Sequence, residues 1–314
     1  MPFRDAFECL WCGAAWSTRG PDDLEGFAQL CPDCVGRAGD NGFLRFRLKA
    51  ALDERARAMA HAGHAQPSEP VESVSSTPSR VVAPGELATE MIAYYQARAG
   101  EYDDWYLRRG RYERGPVHDQ AWVAELDVAT LWLDSLGWSG EIVELAAGTG
   151  WWSPLLATKG ELSIYDAAEA PLDRARDRLL AHRLRAHIHV RDAWLEPDRA
   201  VDGLFCGFWL SHVPRARLAE FLALTRRWLR PGGMLAFIDS RSDSESGALD
   251  QPGTSAAEPA PELDRRRLAD GREFRVVKVY YEPDELRDAL LASGFASAEV
   301  TATPRFFLLG RATA

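Results

Sequence analysis

The sequence predicts an α/β protein built on a doubly wound sheet, preceded by a small cysteine-rich module. Three observations carry this expectation. From residue 86 onward, short apolar runs alternate with helix-like stretches, the pattern of parallel strands joined by crossover helices. The first run leads into a glycine-bearing turn, Ala146-Ala147-Gly148-Thr149-Gly150, and then a helix. Four of the five cysteines form two close pairs near the start. With 314 residues, 46% of them hydrophobic, the chain can hold one large domain with a sizeable core plus a small module.

The module comes first. Cys9-x2-Cys12 and Cys31-x2-Cys34 have the spacing of two knuckles that offer four thiolates to one zinc ion, and Gly13 and Gly36 supply backbone freedom beside them. The alternative is a set of unmetallated structural thiols. A closed four-sulfur site leaves no coordination position open, so zinc here would hold the fold and do no chemistry. A helix is expected from Phe43 to Ala60. Its Arg45, Arg47, Lys49, Arg55 and Arg57 are interrupted by Asp53 and Glu54, which suits a solvated face better than an RNA-binding one. The module is thus placed at residues 1–60. Residues 61–85, rich in Pro, Ser, Ala and Glu, read as a flexible linker, with His61 and His64 as linker residues.

Residues 86–314 form the second domain. Strands are expected at Glu141 to Leu145, Leu162 to Tyr165, His187 to Val190, Val201 to Phe208 and Met234 to Ile238. Helices are expected at Pro171 to Leu184, Arg215 to Leu229 and Pro283 to Leu291, and a closing hairpin at Ser297 to Thr303 and Arg305 to Gly310. Residues 241–271 read as a lid or a disordered insertion whose tip, Ser242 to Pro261, is mobile, with strand character returning at Arg272 to Tyr281.

In a doubly wound sheet, ligands sit beyond the carboxyl ends of the strands. The first strand ends in Glu144-Leu145-Ala146-Ala147-Gly148-Thr149-Gly150, where glycine lets backbone approach a ligand closely. The second ends at Asp166, a carboxylate able to accept both hydroxyls of a ribose. The third ends in Arg191-Asp192-Ala193, and Leu229-Arg230-Pro231-Gly232-Gly233 turns into the fifth.

This ordered set resembles the class I S-adenosylmethionine-dependent methyltransferases over roughly residues 90–312. The resemblance implies a seven-stranded Rossmann-like sheet with S-adenosylmethionine lying across the strand tips. Glu144, Ala146, Gly148 and Gly150 would line its methionine part, Asp166 would hold the ribose, and Asp192 with Ala193 would meet the adenine. Ala146 stands where the family has a first glycine, which suits a residue that contributes its carbonyl and needs no positive φ. A nicotinamide enzyme is the runner-up, but Ser153 occupies the place of the third glycine its fingerprint needs.

Before the first strand lies an aromatic and basic segment. Tyr95, Tyr102 and Trp105 could cover the sulfonium by cation–π contact, with Tyr102 the favoured one. One of Arg108, Arg109, Arg111 and Arg114 could pair with the methionine carboxylate; otherwise the aromatics pack and these arginines face solvent. His212, at the end of the fourth strand, is the candidate catalytic base, with a structural role as its alternative. Cys206 reads as a small buried hydrophobe.

The expected activity is methyl transfer to a small-molecule acceptor by in-line displacement. The alternative is an RNA methyltransferase whose zinc ribbon grips its substrate, and a third reading is a binding protein without turnover. A net charge of -10 disfavours non-specific RNA binding. A protein partner for the ribbon is also open. No run approaches a membrane span, and no signal-peptide apolar segment follows Met1, so a cytoplasmic location is expected.

Overall fold

The computed structural model describes residues 6–9, 14–18, 23–36, 51–52, 84–251 and 262–314. It divides into two compact units, Met1–Ser79 and Arg80–Ala314.

In the first unit, β1 (Ala6–Glu8) pairs antiparallel with β2 (Ala15–Ser17), and short helices α1 (Leu24–Ala28) and α2 (Pro32–Gly36) follow. Phe27, Ala28, Leu30 and Ala51 gather with Cys9, Cys31 and Cys34 into a small core. Of the helix expected at Phe43 to Ala60, Ala51 and Leu52 alone are described, and both are helical; the rest, and residues 61–83 of the expected linker, lie outside the described residues. Pro84 and Gly85, assigned to that linker, open a helix instead.

The second unit begins with α3 (Pro84–Arg98), α4 (Tyr102–Tyr106) and α5 (Pro116–Ser135). Strands and helices then alternate: β3 (Glu141–Leu145), α6 (Ser153–Ala157), β4 (Glu161–Asp166), α7 (Glu169–Ala181), β5 (His187–Val190), β6 (Val201–Gly207), α8 (Leu218–Trp228) and β7 (Leu229–Ser240). After β8 (Leu263–Arg267) and β9 (Glu273–Val277) come α9 (Pro283–Ala292), β10 (Ser297–Ala302) and β11 (Phe307–Thr313).

Seven strands form one mixed sheet in the order β10-β11-β7-β6-β3-β4-β5. The five from β7 to β5 are parallel, and β11 and β10 continue antiparallel. Successive side chains of a strand point to opposite faces. On β3, Ile142 joins the apolar cluster that holds Trp122 and Leu126 of α5, whereas Val143 joins the one that holds Phe221 and Leu222 of α8. Phe205 and Leu204 of β6 divide in the same way. Burial on both faces explains why these strands read as continuous apolar runs.

β8 and β9 make a separate antiparallel hairpin. The expected loop at 241–271 therefore contains a strand, Leu263–Arg267, whose residues are mostly charged and leave no apolar alternation to read. Residues 252–261, half of the expected mobile tip, lie outside the described residues. The other half is anchored. Trp105 Nε1 and Arg108 Nη1 each donate to the Ser246 carbonyl at 2.9 Å, and Leu249 N donates to the Arg111 carbonyl at 2.7 Å.

Candidate functional site

The carboxyl ends of β3, β4 and β6 and the loop after β5 surround a cavity of about 150 Å³, closed from above by α3 and α4. Ala146, Gly148, Asp166, Asp192, Ala193 and His212 line it from the sheet, and Met91, Tyr95 and Tyr102 from the helices.

The turn after β3 doubles back through left-handed backbone at Ala146 (φ 51°), Gly148 (φ 55°) and Gly150 (φ 68°). The expectation that Ala146 needs no positive φ is therefore corrected. Alanine occupies a conformation in which its Cβ crowds the following carbonyl. Gly148 faces the Tyr102 ring, 3.6 Å from where a Cβ would stand. Gly150 and Glu144 do not line the cavity. Gly150 instead packs against α7, where a Cβ would meet that of Ala175 at 2.6 Å. Glu144 is buried beneath the turn and accepts a hydrogen bond from the Ser153 hydroxyl; desolvation pushes its carboxyl up to about 8.

Asp166 has two tasks. Its Oδ2 accepts from Gly148 N and its Oδ1 from Ala168 N, both at 2.8 Å, so it fastens the turn after β3 to the end of β4. It also faces the cavity, where burial raises its carboxyl to about 6. Asp192 Oδ1 accepts from Trp194 N at 2.9 Å, shaping a corner of Ala193 and Trp194. Trp194, which the sequence reading missed, meets Phe221 edge-on and carries the Arg217 guanidinium over its ring.

The covering segment is tied down by residues that sequence reasoning also missed. Asp103 accepts from Thr149 Oγ1 at 2.6 Å and forms an ion pair with Arg178, whose Nε donates to the Thr149 carbonyl at 3.1 Å. Partners 46 and 75 residues away leave no local signal. Tyr95 and Tyr102 reach the cavity, whereas Trp105 lines a neighbouring one. Arg108, Arg109, Arg111 and Arg114 do not line the first cavity. Nor do they simply face solvent: Arg108 and Arg109 are buried, and Arg108 stacks on Trp122 at 4.5 Å and donates to the Glu245 and Ser246 carbonyls.

His212 sits between the two cavities. Its Nδ1 faces the Val277 carbonyl, which can only accept, so Nδ1 carries the proton. Nε2 then accepts from the Tyr95 hydroxyl at 2.7 Å. Burial, reinforced by the nearby Lys278 ammonium, holds the imidazole well below its ordinary range and therefore neutral. Cys206 is buried, and desolvation raises its thiol. The second cavity, of about 80 Å³, adjoins the first and shares Tyr95, Tyr102, Phe208 and His212 with it.

In the first unit, the sulfurs of Cys9, Cys31 and Cys34 are buried and lie within 4.8 Å of one another. Three converging thiols suit a soft tetrahedral cation. Cys12 lies outside the described residues.

Residues 142–233 match the family described as a methyltransferase domain. No curated protein matches the chain. Among solved structures, the DhpI-SAH complex is 29% identical, with a TM-score of 0.57 over 73% of this chain and 98% of that one. The DhpI-SAM-HEP complex is 29% identical, with a TM-score of 0.58 over 74% and 99%. The PH0226 protein from Pyrococcus horikoshii OT3, at 16% identity and TM-score 0.50 over 68% and 98%, shares the fold. Over residues 142–233 the chain is similar to a methyltransferase domain, and it shares its fold with DhpI, a protein solved with SAH and with SAM and HEP. Among the described residues, no helix is long and apolar enough to cross a membrane.

Proposed function

We propose that the chain transfers a methyl group to a small-molecule acceptor seated in the second cavity. The observation that carries this reading is the pair of adjoining cavities. One is largely apolar and bordered by strand-end acids; the other is small and polar, walled by α3, α4, the 240–251 segment and the hairpin region.

In the first cavity, Asp166 would accept the ribose hydroxyls, and Asp192, Ala193 and Trp194 would hold the adenine. The Ala146 to Gly148 turn would meet the methionine part, with Glu144 and Gly150 supporting it from behind. Bound S-adenosylmethionine supplies an electrophilic methyl on a positively charged sulfur, so the protein has chiefly to align the acceptor and exclude water. The rings of Tyr95 and Tyr102 lie on the wall common to both cavities and would face that charge. His212 is neutral, with Nε2 engaged by Tyr95. It acts on an acceptor hydroxyl, if the acceptor has one, through the Tyr95 oxygen and not directly.

The RNA-methyltransferase alternative rests on the cysteine cluster ahead of the domain. The small second cavity and the acidic balance favour a small molecule. DhpI has been solved with SAM and HEP together. Zinc on Cys9, Cys12, Cys31 and Cys34 would brace the first unit, a thiolate site suited to a reducing cytoplasm. Calorimetry with S-adenosylhomocysteine tests the cofactor assignment, and RNA titrated at two salt concentrations tests the alternative. Tight S-adenosylhomocysteine binding without salt-sensitive RNA binding is the expected outcome; a steep fall of RNA affinity with salt reverses the choice of substrate.

A further inference from the structure

The walls of the second cavity carry three cationic side chains, Arg98, Arg266 and Lys278, and two carboxylates, Asp243 and Asp264. Both carboxylates are already engaged. Asp264 pairs with Arg266 at 2.8 Å, and Asp243 pairs with Arg305 at 2.6 Å. Neither carboxylate pairs with Lys278 or Arg98. Lys278 is buried, and Nζ donates to the neutral Ser211 hydroxyl at 2.9 Å. Arg98 lies among tyrosine rings, 4.6 Å from the centroid of Tyr102, and donates to the Tyr112 hydroxyl at 3.3 Å. Among the described residues, neither forms an ion pair with a carboxylate.

Withdrawing a cation from water without a counter-charge costs several kcal/mol. Desolvation accordingly pushes the Lys278 ammonium down to about 8. The buried Asp239 carboxylate, which accepts from Ser211 N and Ser240 N, offsets part of that cost without forming an ion pair with Lys278. Ser240, Ser244 and Tyr280 add hydroxyl donors around the same space.

We propose that this cavity binds the oxyanion of the methyl acceptor, a carboxylate or a phosphoryl group, between Arg98 and Lys278. The inference rests on the methyltransferase reading above and names its substrate class. Because Tyr95, Tyr102, Phe208 and His212 border both cavities, an oxyanion held here lies beside the end of the cofactor cavity formed by the turn after β3. An oxyanion is deprotonated near neutral pH, so an acceptor methylated on it needs no base. That agrees with a His212 kept neutral and engaged by Tyr95.

The test titrates the full chain with inorganic phosphate and, separately, with acetate at constant ionic strength, while S-adenosylhomocysteine affinity is measured on the same preparations. Saturable binding of one of the two anions is expected, phosphate indicating a phosphoryl acceptor and acetate a carboxylate. Lys278→Met and Arg98→Met should each weaken it at least tenfold, and Lys278→Arg should restore it; retained S-adenosylhomocysteine binding shows that a variant is folded. If neither anion binds the unaltered chain up to tens of millimolar, or if binding survives in both methionine variants, the oxyanion site is wrong. Should the unaltered chain fail to bind S-adenosylhomocysteine, the methyltransferase reading falls and the acceptor role falls with it.

Discussion

At Ala146 the turn after β3 adopts φ 51°, a conformation that costs an L-residue roughly 1 to 2 kcal/mol and glycine nothing. Glycine returns part of that difference through its freer unfolded chain. Ala146→Gly should therefore raise stability by about 0.5 to 1 kcal/mol, read from the urea midpoint. A lower midpoint would show that the methyl makes contacts worth more than the strain. Asp166 carries a pH prediction. Its carboxyl, raised to about 6 by burial, must be ionised to accept two hydroxyls. S-adenosylhomocysteine affinity should thus be flat above about pH 7 and weaken as the pH falls through 6, by up to about tenfold per unit. Asp166→Asn should flatten that profile, and a wild-type profile unchanged between pH 5 and 8 would remove Asp166 from the ribose site. The glycines and the strand-end acid were legible in the sequence because a turn and the carboxylate that serves it are local chemistry. The φ of Ala146 was not, because nothing in an alanine announces it.

α4 has five residues, too few to persist as an isolated helix. What holds it over the cavity is tertiary: the Thr149 hydroxyl and the Arg178 guanidinium on Asp103, the Tyr102 ring on Gly148, and the Trp105 indole on the Ser246 carbonyl. Asp103→Ala removes the first of these ties. It should cost about 1 to 3 kcal/mol, because Thr149 and Arg178 are left without their acceptor. It should also speed amide exchange in residues 101–107 and weaken S-adenosylhomocysteine binding several-fold. Unaltered exchange together with unaltered affinity would mean that α4 is held by its rings alone. Elements with a regular apolar pattern, such as β3, β6 and α8, were readable from sequence. β8 was not, since Leu-Asp-Arg-Arg-Arg becomes a strand by pairing with β9 and by the ion pair of Arg266 with Asp264.

As a whole molecule the chain is acidic, with a cysteine cluster in one compact unit and the seven-stranded α/β fold in the other. Cys31→Ser should lower bound zinc to a small fraction of one ion per chain, measured by atomic emission, and leave S-adenosylhomocysteine affinity intact. Full metal content in that variant would overturn the four-thiolate site. The sequence by itself determined the alternation of strands and helices, the turn after β3, the acids closing β4 and β5, and the cysteine spacing, because each is written within a few consecutive residues. The tertiary structure alone decided that Arg108 clasps the carbonyls of Glu245 and Ser246 and stays away from the first cavity. It also decided that His212 is held neutral and that Arg98 and Lys278 converge on one small space. Those outcomes depend on desolvation and on partners far along the chain, which only packing brings together.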